Sequence, residues 1–334
     1  MLKVLYAGSP GASAVMLELL LKDRSLFESG VVISSVLTNP PAPRGRHREL
    51  IPTPVHVVAR NANIPVFTPE HLDGKFRAEM EKFSPDILVC FAYGHIFGPK
   101  FLATLKYGGI NLHPSLLPKY RGCSPVPQAI LNRDKTTGIS IQKIALETDT
   151  GDLLYQKEIP LDFTETADSL LEKSAVLGAA EISRILKETA AAGNLPEAKP
   201  QKGDVSYTFA IKKEDSKIRW DKPAEDIEAM IRAYTSEPGC FTTAGGVNLK
   251  ILKARISCAL PAAAFVSASK NPALKGPAEL KPGTAAFFDK KSGIYIACAK
   301  DFIVATELQW QFKKAMNYID FMNGSRNFIG TTLQ

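Results

Sequence analysis

The chain is poor in groups that build metal sites and disulfide scaffolds. Its five cysteines are Cys90, Cys123, Cys240, Cys258 and Cys298; the count is odd and no two are spaced Cys-x-x-Cys. That argues against a disulfide framework or a zinc site, predicts no metal, and fits a reducing compartment, the cytoplasm. Histidine is scarce too. The five histidines (His47, His56, His71, His95 and His113) all precede residue 114, so imidazole chemistry belongs to the N-terminal part. No apolar run approaches the ~18 residues of a membrane span. The N-terminus carries one lysine before a short Val-Leu-Tyr-Ala strand, which is not a signal peptide. A G-x-G-x-x-G fingerprint is also missing: the opening strand ends in Gly8-Ser9-Pro10-Gly11. This disfavours a dinucleotide and an NAD-linked oxidoreductase, although the fold can still be Rossmann-like.

What is present describes a two-domain protein. The 334 residues are 45% hydrophobic and 22% charged, with a formal net charge of +7, enough to bury a sizeable core. The basic excess is uneven: 18 Lys and Arg against 12 Asp and Glu from Val205 to Gln334, but 23 against 22 before that. A basic C-terminal part suits a polyanion such as nucleic acid, or only a solubilising surface. Strands are predicted over 3–7, 31–37, 66–67, 86–92, 139–144 and 153–159, and helices over 12–22, 54–61 and 75–83. A further helix is expected after Thr166 as N-cap, with Leu171, Ala175, Gly178, Ile182 and Leu186 as its core stripe. Residues 193–206 are polar and rich in Pro and Gly, a linker. Beyond a helix over 223–234 come short strands over 247–256, 283–288, 294–299 and 302–308, which suggest a small OB-like barrel. Residues 267–282 read as a long surface loop. Arg44, Arg46 and Arg48 lie in a Pro- and Gly-rich exposed loop; three guanidiniums so close suit phosphate.

The rest is organised around Gly109-Ile110-Asn111-Leu112-His113-Pro114. Side chains alternate along a strand, so Asn111 and His113 share a face. Pro114 removes a backbone donor and ends the pairing. The pair therefore stands at the carboxyl edge of a strand, where open α/β sheets bind ligands. Asp149 follows in a carboxylate-rich turn, Glu147-Thr148-Asp149-Thr150-Gly151-Asp152, between two strands. An amide, an imidazole and a carboxylate make an acid/base set. His95, after the strand at 86–92, is a weaker candidate.

These motifs resemble those of the methionyl-tRNA formyltransferases along nearly the whole chain. The resemblance is carried by Tyr6-Ala7-Gly8-Ser9-Pro10, Ala92-Tyr93-Gly94, the run from Asn111 to Pro118, Arg121-Gly122 and Asp149-Thr150-Gly151-Asp152. In the second half it is carried by Ile218-Arg219-Trp220, Arg232-Ala233-Tyr234, Pro238-Gly239 and Phe321-Met322-Asn323-Gly324. It implies an α/β fold: a Rossmann-like formyltransferase domain over 1–192, the linker over 193–206, and an OB-like tRNA-binding domain over 207–334. It also implies 10-formyltetrahydrofolate as co-substrate and initiator methionyl-tRNA as partner, with no membrane and a monomeric enzyme.

An amine would attack the formyl carbon directly, with Asn111 and a protonated His113 donating to the oxyanion and Asp149 supporting His113. By the same resemblance Ser115, Leu116, Leu117 and Pro118, with Tyr93 and Gly94, bind the folate, and Arg44, Arg46 and Arg48 enter the tRNA acceptor stem. Glu49 departs from the pattern, where another basic residue is expected. The broader superfamily leaves a sugar nucleotide or other small amine as the alternative acceptor. A catalytically silent RNA-binding protein is disfavoured by the intact Asn111, His113 and Asp149.

Overall fold

A computed structural model describes residues 1–44, 48–235, 237–262, 264 and 280–334. The chain divides into two compact units. The first holds Met1–Val126, Lys135–Leu161 and Ser169–Phe209; the second holds Pro127–Asp134, Asp162–Asp168 and Ala210–Gln334.

Over residues 1–209 the strands are β1 (Leu2–Gly8), β2 (Val31–Leu37), β3 (Ala42–Arg44), β4 (Glu49–Ile51), β5 (Val66–Phe67), β6 (Ile87–Phe91), β7 (Gly109–His113), β8 (Arg121–Gly122), β9 (Thr136–Lys143), β10 (Leu153–Pro160) and β11 (Tyr207–Thr208). The helices are α1 (Gly11–Lys22), α2 (Arg24–Glu28), α3 (Pro54–Asn61), α4 (Gly74–Glu81), α5 (Pro99–Leu102), α6 (Pro125–Leu131) and α7 (Ala167–Ala192). The main sheet runs β10-β9-β7-β6-β1-β2-β5, parallel from β5 to β7 and antiparallel through β9 and β10. β6 is buried throughout and β1 almost so, as strands covered on both faces must be. Strand order turns around at β1, so the carboxyl ends of β1, β6 and β7 form the crevice edge of the sheet. The ends of helices are set locally: Thr53 accepts from His56 N and Asp73 from Phe76 N, each satisfying an orphan donor.

Helix α7 fixes the height of β7. Ala175, Gly178, Ile182 and Leu186 are buried, and Leu171 is half-buried. At Gly178 a Cβ would lie 2.3 Å from Leu112 Cδ2. The missing side chain lets Leu112, between Asn111 and His113, press into the helix.

Two segments carry more pairing than expected. The exposed loop expected around the arginines is flanked by paired strands: β3 and β4 run antiparallel, with Arg44 opposite Glu49, and residues 45–47 lie outside the described residues. Residues 193–206 do not hang free as a linker. Lys199 and Leu153 exchange backbone hydrogen bonds of 2.7 and 2.8 Å, Arg121 N donates to Ser206 O at 2.8 Å, and β11 pairs parallel with β8. Pro, Gly and polar residues suit a solvated tether and an irregular packed segment equally well, so composition does not distinguish them.

The second unit contains α8 (Ala224–Ala233), β12 (Phe241–Ala244), β13 (Val247–Ser257), β14 (Ala285–Asp289), β15 (Gly293–Ala297), β16 (Phe302–Trp310), β17 (Met316–Asn317) and α9 (Tyr318–Gly324). Its antiparallel sheet runs β12-β13-β16-β15-β14, with β17 on β16, and curls into a half-barrel. The chain end bridges the two edges. Gln334 exchanges bonds of 2.8 and 3.0 Å with Thr243 of β12, while Leu333 N donates to Gly283 O just before β14 and Gly330 N to Ala285 O at its start, each at 2.8 Å. The loop expected over 267–282 lies almost wholly outside the described residues. Among the described residues no helix is long and apolar enough to cross a membrane.

Candidate active site

Asn111 and His113 end β7 as expected, on one face of the strand. Asn111 is half-buried, and among the described residues its carboxamide has no hydrogen-bond partner. His113 is 4% exposed and hydrogen-bonded at one ring nitrogen. Nε2 lies 2.9 Å from the Tyr120 carbonyl oxygen. A carbonyl only accepts, so Nε2 carries the hydrogen. Nδ1 faces Asp149 Oδ2 at 3.5 Å, longer than a hydrogen bond. Burial pushes the imidazole below its usual pKa, against the opposing pull of the Asp149 charge and the Tyr120 carbonyl. The resting ring is therefore neutral at pH 7, with its Nδ1 lone pair turned toward the carboxylate.

Asp149 sits in the turn between β9 and β10 with φ of +54°, a left-handed conformation that Asp tolerates better than most residues. Oδ1 accepts from Gln142 Nε2 at 2.7 Å and Oδ2 from Gly122 N at 2.8 Å. The turn is pressed against β9, since a Cβ on Gly151 would lie 1.7 Å from Lys143 O. Gln201 Nε2 donates to the carbonyls of Asp149 and Gly151, 2.8 Å each, and its Oε1 accepts from Arg121 Nε and Nη2 at 3.1 and 2.7 Å.

The segment after β7 is rigid. Ser115 Oγ donates to Lys119 O at 2.6 Å, and Ser140 Oγ donates to Ser115 O at 2.7 Å. Leu117 N donates to Ser140 Oγ at 3.0 Å, and its carbonyl accepts from Gln156 Nε2 at 2.9 Å. Ser115, Leu117 and Pro118 are buried and Leu116 is half-buried. The Ser115 hydroxyl is thus engaged internally. Tyr93 and Gly94 follow β6 on the same crevice edge. Tyr93 is buried, its phenol pushed up to about 12 by desolvation, with Phe97 stacked at 5.5 Å. Gly94 is exposed with φ of +88°. His95 lies against the Tyr93 ring at 5.0 Å, apart from the His113 pair. Of the arginines, Arg44 ends β3, Arg48 is exposed just before β4, and Arg46 lies outside the described residues.

Gln142, Gln201, Tyr120 and the Gly122 amide went unread in the sequence. Gln142 stands directly opposite Asn111 across β7 and β9, which only the strand register reveals. The one available signal was Arg121-Gly122, which stood out as a motif but carried no assigned part.

Residues 3–186 match the family Formyl transferase, and residues 210–326 match Formyl transferase, C-terminal domain. A methionyl-tRNA formyltransferase of Treponema denticola is 40% identical over 337 residues, covering 98% of each chain. Among solved structures, methionyl-tRNA formyltransferase from Clostridium thermocellum superposes with a TM-score of 0.56 at 18% identity, over 77% of this chain and 94% of that one. HypX from Aquifex aeolicus, in complex with tetrahydrofolic acid, gives a TM-score of 0.61 at 13% identity, over 98% of this chain and 48% of that one. At such identities these two superpositions speak to the fold alone.

Proposed function

The chain belongs to the formyl transferase family, among the methionyl-tRNA formyltransferases, and from that membership we propose that it transfers the formyl group of 10-formyltetrahydrofolate to the amino group of initiator methionyl-tRNA. The amine nitrogen attacks the formyl carbon, and the carbonyl pair moves onto oxygen. The bond to folate N10 then breaks, and the amine's proton ends on N10. Neither a covalent enzyme intermediate nor an outside oxidant is needed.

The observation that carries the residue roles is an unengaged carboxamide on Asn111 beside a His113 whose only uncommitted nitrogen faces a carboxylate. Asn111 donates its N–H to the developing oxyanion. His113 Nδ1 takes the proton from the attacking amine, directly or through water. The imidazolium so formed is stabilised by Asp149 and passes the proton on. In the resting site the ring is neutral, so its charge arises only as the reaction proceeds. A stabilising contact made at that moment lowers the barrier rather than merely tightening substrate binding.

The folate lies against Ser115, Leu116, Leu117 and Pro118, with Tyr93 and Gly94 on the neighbouring strand end. With the Ser115 hydroxyl engaged by Lys119 O, this wall offers backbone groups and the Leu116 side chain. Arg44, Arg46 and Arg48 contact the acceptor stem, and the basic second unit holds the remaining phosphates.

The test follows label from radioactive 10-formyltetrahydrofolate onto charged initiator tRNA, charged elongator methionine tRNA and free methionine. Label confined to the initiator species is expected. Equal label on free methionine would move the acceptor to a small amine, and no label on any of them would reject the reading.

A further inference from the structure

Asp149 is held at its side chain and at its main chain by one dipeptide. Gly122 N donates to Oδ2 at 2.8 Å. The preceding residue, Arg121, reaches the Asp149 main chain through Gln201: two guanidinium donors on Oε1, and Nε2 on the carbonyls of Asp149 and Gly151. The contacts close a ring from Asp149 carboxylate to Gly122, Arg121, Gln201 and back to the Asp149 carbonyl. Arg121 also fixes which way the amide faces, because a guanidinium can only donate and so selects the amide oxygen. Gln201 contributes this clamp from residues 193–206, outside every strand of the main sheet. Its targets are the two carbonyls that flank Thr150 in a turn whose Asp149 is left-handed. Such backbone persists where its surroundings hold it.

We infer that Gln201 is a positioning residue for formyl transfer: with Arg121 it sets the Asp149 turn, and through it the place of the carboxylate beside His113 Nδ1. This rests on the acid/base reading of Asp149 given above. The Gln201 side chain makes no hydrogen bond to His113; it acts on the Asp149 turn directly and through Gln142, whose Oε1 its Nε2 meets at 3.4 Å and whose own Nε2 donates to Asp149 Oδ1. It follows that removing the clamp changes the rate only while Asp149 can still act.

The test is a double-mutant comparison on the full chain, reading kcat and KM for formyl transfer to charged initiator tRNA. Gln201→Met keeps length and removes both donors. It is expected to lower kcat about 10- to 100-fold, the scale of a misplacement near 1 Å, with both KM values within about twofold of wild type. In an Asp149→Asn background the same substitution is expected to cost less than about twofold, because the group it positions is already gone. A purely structural role would cost the same in both backgrounds; that result, or an unchanged kcat in Gln201→Met, overturns the inference. Should Gln201→Met fail to fold, Arg121→Lys, which keeps the charge but loses the two-pronged contact, carries the same comparison with the same expectation. A wild-type rate in Asp149→Asn alone would instead reject the role of Asp149, which separates failure of the premise from failure of the clamp.

Discussion

His113 is neutral at rest because it is buried, and that fixes the sign of two measurements. In the folded protein its pKa lies below the usual 6.5. The folded state therefore resists the proton that the unfolded state accepts. Its contribution to stability is fully present above about 6.5 and is lost as pH falls toward the folded value. Following the imidazole carbon-bound protons by NMR should give a midpoint below that of a free histidine. In Asp149→Asn the midpoint should fall further, since the aspartate charge is what holds it up against desolvation. A midpoint that rises or stays put in that variant would mean the carboxylate does not face the ring. Asn111→Ala tests the other half of the site. Losing one oxyanion donor is expected to reduce kcat by about 10²–10³ with little change in KM. The Asn-x-His spacing and the Asp149 turn were legible in the sequence because alternation along a strand is a local rule. The state of the ring was not, because burial by the rest of the fold favours its neutral form and its tautomer is set by Tyr120, seven residues on, folding back to accept from Nε2.

The element that carries the site, β7, is kept in register by what packs on it. Gly178 of α7 leaves room for Leu112, and a Cβ there would come within 2.3 Å of its methyl. Two effects oppose each other in a substitution. Replacing Gly by Ala inside a helix gains up to about 1 kcal/mol. Overpacking a dense core costs about 1–3 kcal/mol. Ala at 178 is therefore near balance or mildly destabilising, because Leu112 can rotate partly aside. Val gains less from the helix and is bulkier, so Gly178→Val is expected to lower the denaturant midpoint by the equivalent of about 1–3 kcal/mol. It should also lower kcat, because the displaced residue lies between Asn111 and His113; full activity at reduced stability would show that β7 does not transmit the strain. Apolar runs such as β1 and β6 were readable because burial on both faces leaves little else. The pair β3–β4 and the two-residue pair β8–β11 were not. Such short pairings rest on backbone hydrogen bonds, which impose no hydrophobic period on the side chains. Residues 193–206 were misread for the same reason, although they supply Gln201 to the site.

In the molecule as a whole, the positive charge and the curled sheet occur in the same unit, and its closure is testable. Leu333 is 2% exposed, in the stretch that bridges β12 and β14. Leu333→Ala should cost about 2–5 kcal/mol, as for other buried leucines, read as a lowered melting temperature. The lysines of this unit were equivalent in sequence, and the structure now separates them. Lys250 Nζ donates to Pro238 O at 2.8 Å, and Lys253 Nζ pairs with Glu307 at 2.8 Å. Lys290 and Lys291, at the β14–β15 turn, are exposed. A lysine already bonded within the fold releases little counterion on binding a phosphate, whereas an exposed one contributes to the salt dependence. If the proposed tRNA contacts run through this turn, log affinity against log salt should become shallower by about one unit for each of Lys290→Ala and Lys291→Ala. Lys250→Met should leave that slope unchanged and lower stability, because the Pro238 carbonyl loses its partner. Measuring initiator tRNA binding between low and moderate salt separates the cases. An unchanged slope in the Lys290→Ala, Lys291→Ala double variant would exclude this turn from the nucleic-acid surface and direct the search to Lys212 and Lys213, at the start of the unit.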